Sequence, residues 1–431
     1  MTQPKINNLQ KIKQQGIYKT APVSMEILSD IRTPIEVLKI LKNVSSHCYL
    51  LESISDNEKW GRYTFLGYDP SLEITCQNGH MKVGSLSFET TDPGKYIRQV
   101  IAFDNFRQKI ILIVNISLEN LETEYNGAIL KLKQMADLLT NGIPLPEQQG
   151  KCISEFKPLF QREEYCSMVE KAKHHIKEGD IFQIVLSNRL EANFEGSLLN
   201  TYRILRTLNP SPYMFYFSSS DMEVAGASPE TLVKLEDGIL HTFPLAGTRP
   251  RGKTEEEDNA LMEDLLSDEK ELAEHNMLVD LGRNDIGKIS KFGTVEVEKY
   301  HSIEKYSHVM HIGSTVRGEI LDDKDALSAI DAILPAGTLS GAPKIKACQL
   351  INDLENNKRG IYGGAIGYLD FTGNLDTCIA IRIAYKKNGK VFVRSGAGIV
   401  ADSVPEKEYQ ECLNKAAAVV KALNMAKEVN A

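Results

Sequence analysis

The chain strings together short β-rich runs and a smaller number of helix-period segments in no regular alternation, and this pattern constrains its fold more than any other feature. A parallel sheet needs a crossover, usually a helix, between successive strands, so doubly wound sequences alternate in type. Residues 20–125 instead carry Arg62-Tyr-Thr-Phe-Leu66, Leu72-Glu-Ile-Thr-Cys76 and Ile110-Ile-Leu-Ile-Val114, broken by Gly, Asp-Pro and Asn-Gly signals, and read as sheet. The second half mixes both element types. An α+β fold is expected: a large antiparallel β-sandwich with surrounding helices. Asn141-Gly-Ile-Pro-Leu-Pro-Glu-Gln-Gln-Gly150 gathers turn formers and divides the chain into residues 1–150 and 151–431. After it, Tyr165, Met168, Val169, Ala172 and Ile176 predict a helix capped by Gly179, followed by a strand over Ile181-Phe-Gln-Ile-Val-Leu186.

Size and composition limit the function. The 431 residues allow two or three domains at roughly 100–200 residues each, and 42% hydrophobic with 25% charged residues excludes a disordered or fibrous chain. The net charge of −8, without a basic stripe, argues against nucleic acid. No apolar run approaches the ~20 residues that span a bilayer, and MTQPKINNLQ is no secretory signal, so a cytoplasmic protein is expected. Seven cysteines without a CxxC pair read as reduced thiols, mostly packing groups.

Two helical segments each carry a glutamate pair. Glu271 and Glu274 stand at i and i+3, and Leu261, Leu265, Leu272 and Val279, spaced by 4, 7 and 7, predict one helix through both. In the second segment Ser403 and Glu406 have capping-box spacing and Pro405 suits a first helical turn, while Glu408, Glu411 and Lys415 flank the apolar stripe that starts at Tyr409 and Cys412. Carboxylates about 5 Å apart repel by under ~1 kcal/mol in water but by roughly 3 kcal/mol at an effective dielectric near 20. Exposed, such a pair is inconsequential; in a cleft it needs a cation. Together the pairs suit Mg²⁺, which takes one or two carboxylates and keeps positions open for substrate oxygens. The run Glu255-Glu-Glu-Asp258 reads as the solvated first turn of a helix.

Other motifs are less specific. Phe392-Val-Arg-Ser-Gly-Ala-Gly-Ile-Val-Ala401 contains GxGxxA, but the 30 residues after Ala401 are too few for the rest of a dinucleotide-binding unit; its glycines still let backbone N–H groups approach an anion. Pro244-Leu-Ala-Gly-Thr-Arg-Pro-Arg251 and Pro335-Ala-Gly-Thr-Leu-Ser-Gly-Ala-Pro-Lys344 fit a carboxylate-binding loop and a plain turn equally. For His308 and His311, spaced three apart, catalytic and merely packed imidazoles are equally open. Arg382 interrupts the apolar Cys378-Ile-Ala-Ile-Arg-Ile-Ala384, read as a strand, and an inward Arg there requires an anionic partner.

These segments resemble, in this order, the chorismate-utilising enzymes, most closely the large (component I) subunits of anthranilate synthase. The similarity runs from Leu50-Leu-Glu-Ser53 and Arg62-Tyr-Thr-Phe-Leu-Gly-Tyr-Asp-Pro70 through Ala227-Ser-Pro-Glu230, the PLAGTRPRG loop, Glu274-His-Asn-Met-Leu-Val-Asp-Leu-Gly-Arg-Asn-Asp285 and PAGTLSGAPK to SGAGIVADSVPE. The resemblance implies the fold of that family and an Mg²⁺ held by Glu274 and Glu411, supported by Glu271 and Glu408. It implies substrate contacts from Thr248, Tyr362, Arg382, Gly396, Gly398 and Lys415, with Thr338 lining the site. Glu230 becomes the acid for the departing 4-hydroxyl of chorismate, and His311 assists the later loss of pyruvate. The implied reaction is addition of ammonia at C2, then elimination to anthranilate, the first step of tryptophan biosynthesis.

Two positions separate this activity from its relatives. Isochorismate and salicylate synthases carry a water-activating Lys where this chain has Gln183, and aminodeoxychorismate synthases, the alternative in the 4-aminobenzoate pathway, usually carry a nucleophilic Lys where it has Ala246. A different-class alternative is a non-catalytic chorismate- or amino-acid-binding regulator, against which the four glutamates and His311 argue. No cysteine lies in a Gly-x-Cys-x-Gly turn, so a separate glutamine amidotransferase subunit is expected to deliver ammonia, in a hetero-oligomer. The resemblance also implies feedback by tryptophan, bound where Glu52 and Ser53 meet Pro212, Tyr213 and Met214.

Overall fold

The computed structural model describes residues 2–16, 19–29, 32–54, 64–70, 72–90, 110–144, 146, 148–305, 309–370 and 372–429. The elements that position the site begin with α1 (Pro34–Val44), β1 (Cys48–Glu52), β2 (Thr64–Tyr68), α2 (Leu121–Asn141), α3 (Arg162–Lys177), β3 (Gln183–Glu195), α4 (Leu199–Leu208), β4 (Tyr213–Ser218) and β5 (Met222–Ser228). There follow β6 (Thr231–Glu236), β7 (Ile239–Thr242), β8 (Leu245–Pro250), α5 (Glu255–Ser267), α6 (Glu269–Gly287), β9 (Glu296–Lys305), β10 (Val309–Glu319) and α7 (Ala326–Ile333). The chain closes with α8 (Lys344–Glu355), β11 (Ala365–Leu369), β12 (Leu375–Ile379), β13 (Ile383–Lys387), β14 (Lys390–Ile399) and α9 (Pro405–Met425).

The expected antiparallel α+β architecture is present. A ten-stranded sheet contains the order β3-β14-β13-β5-β4-β1-β2, and a seven-stranded sheet runs β8-β10-β7-β6-β12-β11 with β9 beside β10. The N-terminal region joins the larger sheet through β1, which pairs with β4 so that Glu52 faces Met214. The sheets meet through Phe215, Val224 and Ile383 of the larger, Cys378 of the smaller and Ala380 just beyond it, each large apolar side chain there contributing ~1.5–3 kcal/mol on burial.

The pairing of β3 with β14 organises the site. It aligns Ile184 with Ile399 and continues to Asn193 opposite Lys390. Side chains alternate across a sheet. Ile184, Leu186, Ala397 and Ile399 therefore enter one core cluster with Tyr165 and Val169 of α3 and Cys412 of α9, while Gln183, Val185, Ser187, Gly396 and Gly398 share the opposite face.

Several local expectations change. The segment read as one helix is two, broken at Asp268, whose carboxylate accepts N–H bonds from Lys270 and Glu271 and so starts α6. Asp268 and Glu271 have the spacing of an N-terminal capping motif, a signal that the leucine periodicity masked. Ser403 does not cap α9: its hydroxyl accepts the N–H of Val400, and the helix starts at Val404-Pro405 without a side-chain cap. The strand predicted from Ile181 begins at Gln183 and runs on to Glu195. The segment 378–384 is not one strand, because β12 and β13 belong to different sheets and Arg382 lies in the crossing with φ +52°. Within residues 20–125, α1 went unread although Thr33 and Glu36 make a full capping box with Pro34 at the first turn. The acidic run opens α5 as expected, but Asp258 is buried on Arg251 and Lys305 rather than solvated. The helix over Tyr165 to Ile176 and Gly179 beyond its end are as predicted. Among the described residues no helix is long and apolar enough to cross a membrane, and the seven cysteines are free thiols, Cys48, Cys378 and Cys412 buried. Arg62, Tyr63 and His308 lie outside the described residues.

Asp268 also binds Arg249 of β8 at 2.9 Å. Losing an N-cap costs ~1 kcal/mol, so Asp268→Ala should lower the unfolding free energy by about 1–2 kcal/mol. A urea titration that leaves the midpoint unchanged would show that the helix break needs no cap.

Candidate active site

The chain passes between the two sheets at β5–β6 and again at β12–β13, and the two crossings lie against each other. Glu230 sits in the first and Arg382 in the second. The N–H of Ile379 donates to Glu230 O at 3.0 Å and the N–H of Ala227 to Arg382 O at 3.2 Å, while the Ser228 hydroxyl donates to Ile379 O at 2.7 Å. An acid and a guanidinium distant in sequence are thus fixed side by side by backbone bonds.

The Glu230 carboxyl is withdrawn from water although the residue as a whole is half-buried. That burial pushes its pKa up to about 7, against the opposing pull of the Thr338 hydroxyl and the charges of Arg382 and Lys415. Thr338 Oγ1 is buried and has no hydrogen-bond partner of good geometry among the described residues, yet its hydroxyl lies close enough to Glu230 to favour the ionised carboxylate. A carboxylic acid that keeps its proton near neutrality beside two cations can protonate a leaving group on an anionic substrate.

His311 stands on β10, with Nδ1 2.7 Å from Gly247 O and 3.1 Å from Thr248 Oγ1. The carbonyl contact places the ring proton on Nδ1 and makes Nε2 the accepting nitrogen. Burial, and then the charge of Arg382, lower its pKa, so the imidazole is neutral at pH 7 and suited to take a proton. Gly247 has φ +63°, and a Cβ there would lie 2.9 Å from Leu265 and 3.2 Å from Glu271 Oε2. This loop can cross α6 so closely only with glycine.

The floor is the face of β3 and β14 that carries the glycines. A Cβ on Gly396 would come within 3.2 Å of the Tyr362 hydroxyl, and one on Gly398 within 2.8 Å of Gln183 Nε2. Through the space over Gly398, Gln183 Nε2 donates to Glu274 Oε1 at 3.1 Å, tying the metal-ligand candidate on α6 to the floor. Tyr362 is buried, which holds its hydroxyl protonated.

Both glutamate pairs stay local. Glu271 has a raised pKa from burial and then the charge of Glu274; Glu408 is raised by burial, with Glu411 adding to it and Ser403 opposing. Lys270 of α6 acts on Glu408 of α9, which puts the two acidic helix ends within electrostatic reach. Glu411 pairs with Lys415 at 2.7 Å. Among the described residues no three His, Cys, Asp or Glu side chains form a metal-holding cluster. The donor set nevertheless fits Mg²⁺ in kind: oxygen ligands only, in pairs whose mutual repulsion a cation relieves, with one or two carboxylates being that ion's usual protein share.

The cations of the two loops, for which carboxylate binding and a plain turn were equally open, are structural. Arg249 pairs with Asp264 and Asp268, Arg251 with Asp258, and Lys344 with Asp285 at 2.6 Å. An open cavity of about 710 Å³ beside Lys344, Lys288, Pro335 and Cys348 holds none of the site residues.

The predicted tryptophan-site residues are brought together. Glu52 is opposite Met214, and Ile54 N–H donates to Ser211 O at 3.1 Å. Glu52 is itself neutralised by Arg206 at 2.6 Å and the Tyr202 hydroxyl, and Met214 is buried. Ser53 and Pro212 are half-buried. Tyr213 spans to the second sheet, its hydroxyl 2.8 Å from both Thr231 Oγ1 and Asp376 Oδ1.

A family model described as chorismate binding enzyme matches residues 9–421. The chain is 43% identical to an anthranilate synthase component 1 of Acetivibrio thermocellus, over 96% of this chain and 97% of that one, and 41% identical to that of Aquifex aeolicus over 95% and 96%. The crystal structure of anthranilate synthase component I from Streptococcus pneumoniae TIGR4 superposes with a TM-score of 0.72 at 35% identity, covering 92% of this chain and 99% of that one. A menaquinone-specific isochorismate synthase from Escherichia coli, 20% identical with a TM-score of 0.73 over 97% of this chain and all of that one, shares the fold.

If Glu230 is a proton donor, turnover should fall as pH rises through about 7, where its carboxyl ionises. Glu230→Gln should lose that alkaline limb along with ~10²–10⁴-fold in kcat. A pH profile that keeps the limb in the variant assigns the titration to another group.

Proposed function

The chain belongs to the chorismate binding enzymes, and from that premise we propose that it is the large subunit of an anthranilate synthase, converting chorismate and ammonia to anthranilate and pyruvate. The observation that carries this reading is the pairing of Gln183 with Glu274 over Gly398. An amide bound to a carboxylate cannot serve as the amine base that activates water, and Ala246, opposite Ile312 in β8, offers no amine nucleophile. The added nucleophile in this reading is therefore ammonia rather than activated water or a side-chain amine.

In this reading Arg382, Tyr362 and the backbone N–H groups of the glycine-lined strand hold the carboxylates of chorismate. Lys415 lends further positive charge beside Glu230, which protonates the 4-hydroxyl as ammonia bonds to C2. Water leaves, and 2-amino-2-deoxyisochorismate remains. Neutral His311 is placed to take up the proton released from the ring as pyruvate departs and the ring becomes aromatic. Glu274 and Glu411, with Glu271 and Glu408 behind them, would hold Mg²⁺, which would supply Lewis-acid charge and orientation to a substrate carboxylate. A separate glutaminase subunit would supply ammonia, since ammonium predominates at neutral pH, and the setting would be the cytoplasm.

Product identity tests the reading. Chorismate, Mg²⁺ and ammonium should give anthranilate, and appearance of 4-amino-4-deoxychorismate in its place would make the chain an aminodeoxychorismate synthase. Glu274→Gln and Glu411→Gln should each depress Mg²⁺-dependent turnover by ~10²-fold or more, the scale set by losing an electrostatic catalytic contact. Glu255→Gln, on exposed α5, should stay within twofold of the parent, and equal effects at all three positions would remove the metal assignment.

Tryptophan is proposed to bind where β1 meets the segment before β4. Ser53→Ala should raise the tryptophan concentration needed for half-inhibition at least tenfold and leave uninhibited turnover near the parent's. An unshifted inhibition curve would move the effector site elsewhere.

A further inference from the structure

Thr338 sits on a single 3₁₀ turn, Gly337–Leu339, that is wedged between two supports. On one side a Cβ at Gly337 would come within 2.2 Å of Leu281 of α6, so the turn lies flat against that helix. On the other, Arg359 Nη1 donates to Leu339 O. The same guanidinium sends Nη2 to Val185 O of the floor strand at 2.7 Å and lies 5.9 Å from the centroid of the Tyr362 ring. One side chain therefore touches the Thr338 turn, the floor and the Tyr362 turn.

Arg359 is held in turn. Glu355, the buried last residue of α8, receives it through two bonds, Nη2 to Oε1 at 2.6 Å and Nε to Oε2 at 3.1 Å. Glu355 also accepts Arg394 Nη2 at 2.9 Å, and the N–H and hydroxyl of Ser187 at 2.8 and 2.9 Å. Arg394, on β14 beside Gly396, completes the ring through Nε to Ser187 Oγ at 2.8 Å. A half-buried guanidinium, a buried one and a buried carboxylate thus gather on the same face of the β3–β14 pair as Gly396. Buried ion pairs seldom stabilise a fold more than apolar residues of similar volume, because desolvation offsets the attraction. Stability is then a poor reason for the cluster, and geometry a better one: a planar fork fixes several acceptors at set angles, which the single ammonium of a lysine cannot do.

We propose that Arg359, locked by Glu355 and Arg394, is a positioning residue that sets the distance between Thr338, Tyr362 and the β3–β14 floor. The inference rests on the reading above that Thr338 and Tyr362 meet the substrate. Misplacing a contact by an ångström can cost ~10²-fold in rate.

The test is a cycle in the full-length enzyme with ammonium as nitrogen donor. Arg359→Lys should lower kcat/KM for chorismate at least 30-fold and leave the thermal unfolding midpoint within a few degrees. In a Thr338→Ala, Tyr362→Phe background the same substitution should cost less than threefold, because the contacts it positions are already gone. A merely structural arginine would cost the same factor in both backgrounds, and that result overturns the proposal, as does an Arg359→Lys enzyme within threefold of the parent. Should the lysine variant fail to fold, Arg359→Gln leaves a charge-balanced Glu355–Arg394 pair and carries the same cycle. Chorismate affinity, measured by calorimetry on each variant, keeps the two readings apart. A parent that forms no anthranilate refutes the functional reading, whereas affinities unchanged by Arg359→Lys, with turnover also unchanged, refute the positioning role.

Discussion

The antiparallel pairing of β3 with β14 is the constraint on which the rest depends. Its period of two sends Ile184, Leu186, Ala397 and Ile399 into the helices and leaves Gln183, Val185, Gly396 and Gly398 on the opposite side. A one-residue slip would exchange the two faces, turning the isoleucines toward the site and the glutamine into the apolar core. Apolar packing on one face thus fixes the geometry of the other. Because glycines hold positions 396 and 398, the backbone there is open to approach, and the space is shared by the Tyr362 hydroxyl and the Gln183 amide.

On that floor the chemistry arises from groups that burial leaves in uncommon ionisation states. Glu230 keeps its proton to about pH 7 because its carboxyl is dry, and His311 is neutral for the same reason. The two crossings between sheets make this possible, since backbone bonds at Ile379 and Ala227 hold acid and guanidinium together without either side chain relying on the other. Neighbouring charge then acts in opposite senses, Arg382 drawing Glu230 toward ionisation while keeping a proton off His311.

Much of this was legible in the sequence, for identifiable reasons. The lack of strand–helix alternation indicated the antiparallel fold, and the i, i+3 spacing of Glu271 with Glu274 and of Glu408 with Glu411 survives as two local acidic pairs. What periodicity missed was set by single polar residues. Asp268 splits a leucine-patterned helix because its carboxylate takes two N–H groups and an arginine at once. Arg382 looked like a flaw in a strand because composition cannot tell that the chain there changes sheets. The loop cations were ambiguous for a similar reason: Arg249, Arg251 and Lys344 have the charge that binds a carboxylate, but the carboxylates they bind are Asp264, Asp258 and Asp285 of this chain.

That internal use of cations leaves the site with a selective balance. Cations already matched by aspartates hold loops against helices, whereas Lys415 pairs at the surface with Glu411 and still bears on Glu230. Positive charge next to Glu230 lowers the cost of its ionised form and so opposes the effect of burial. One lysine thus bears on both an acidic helix end and the buried acid.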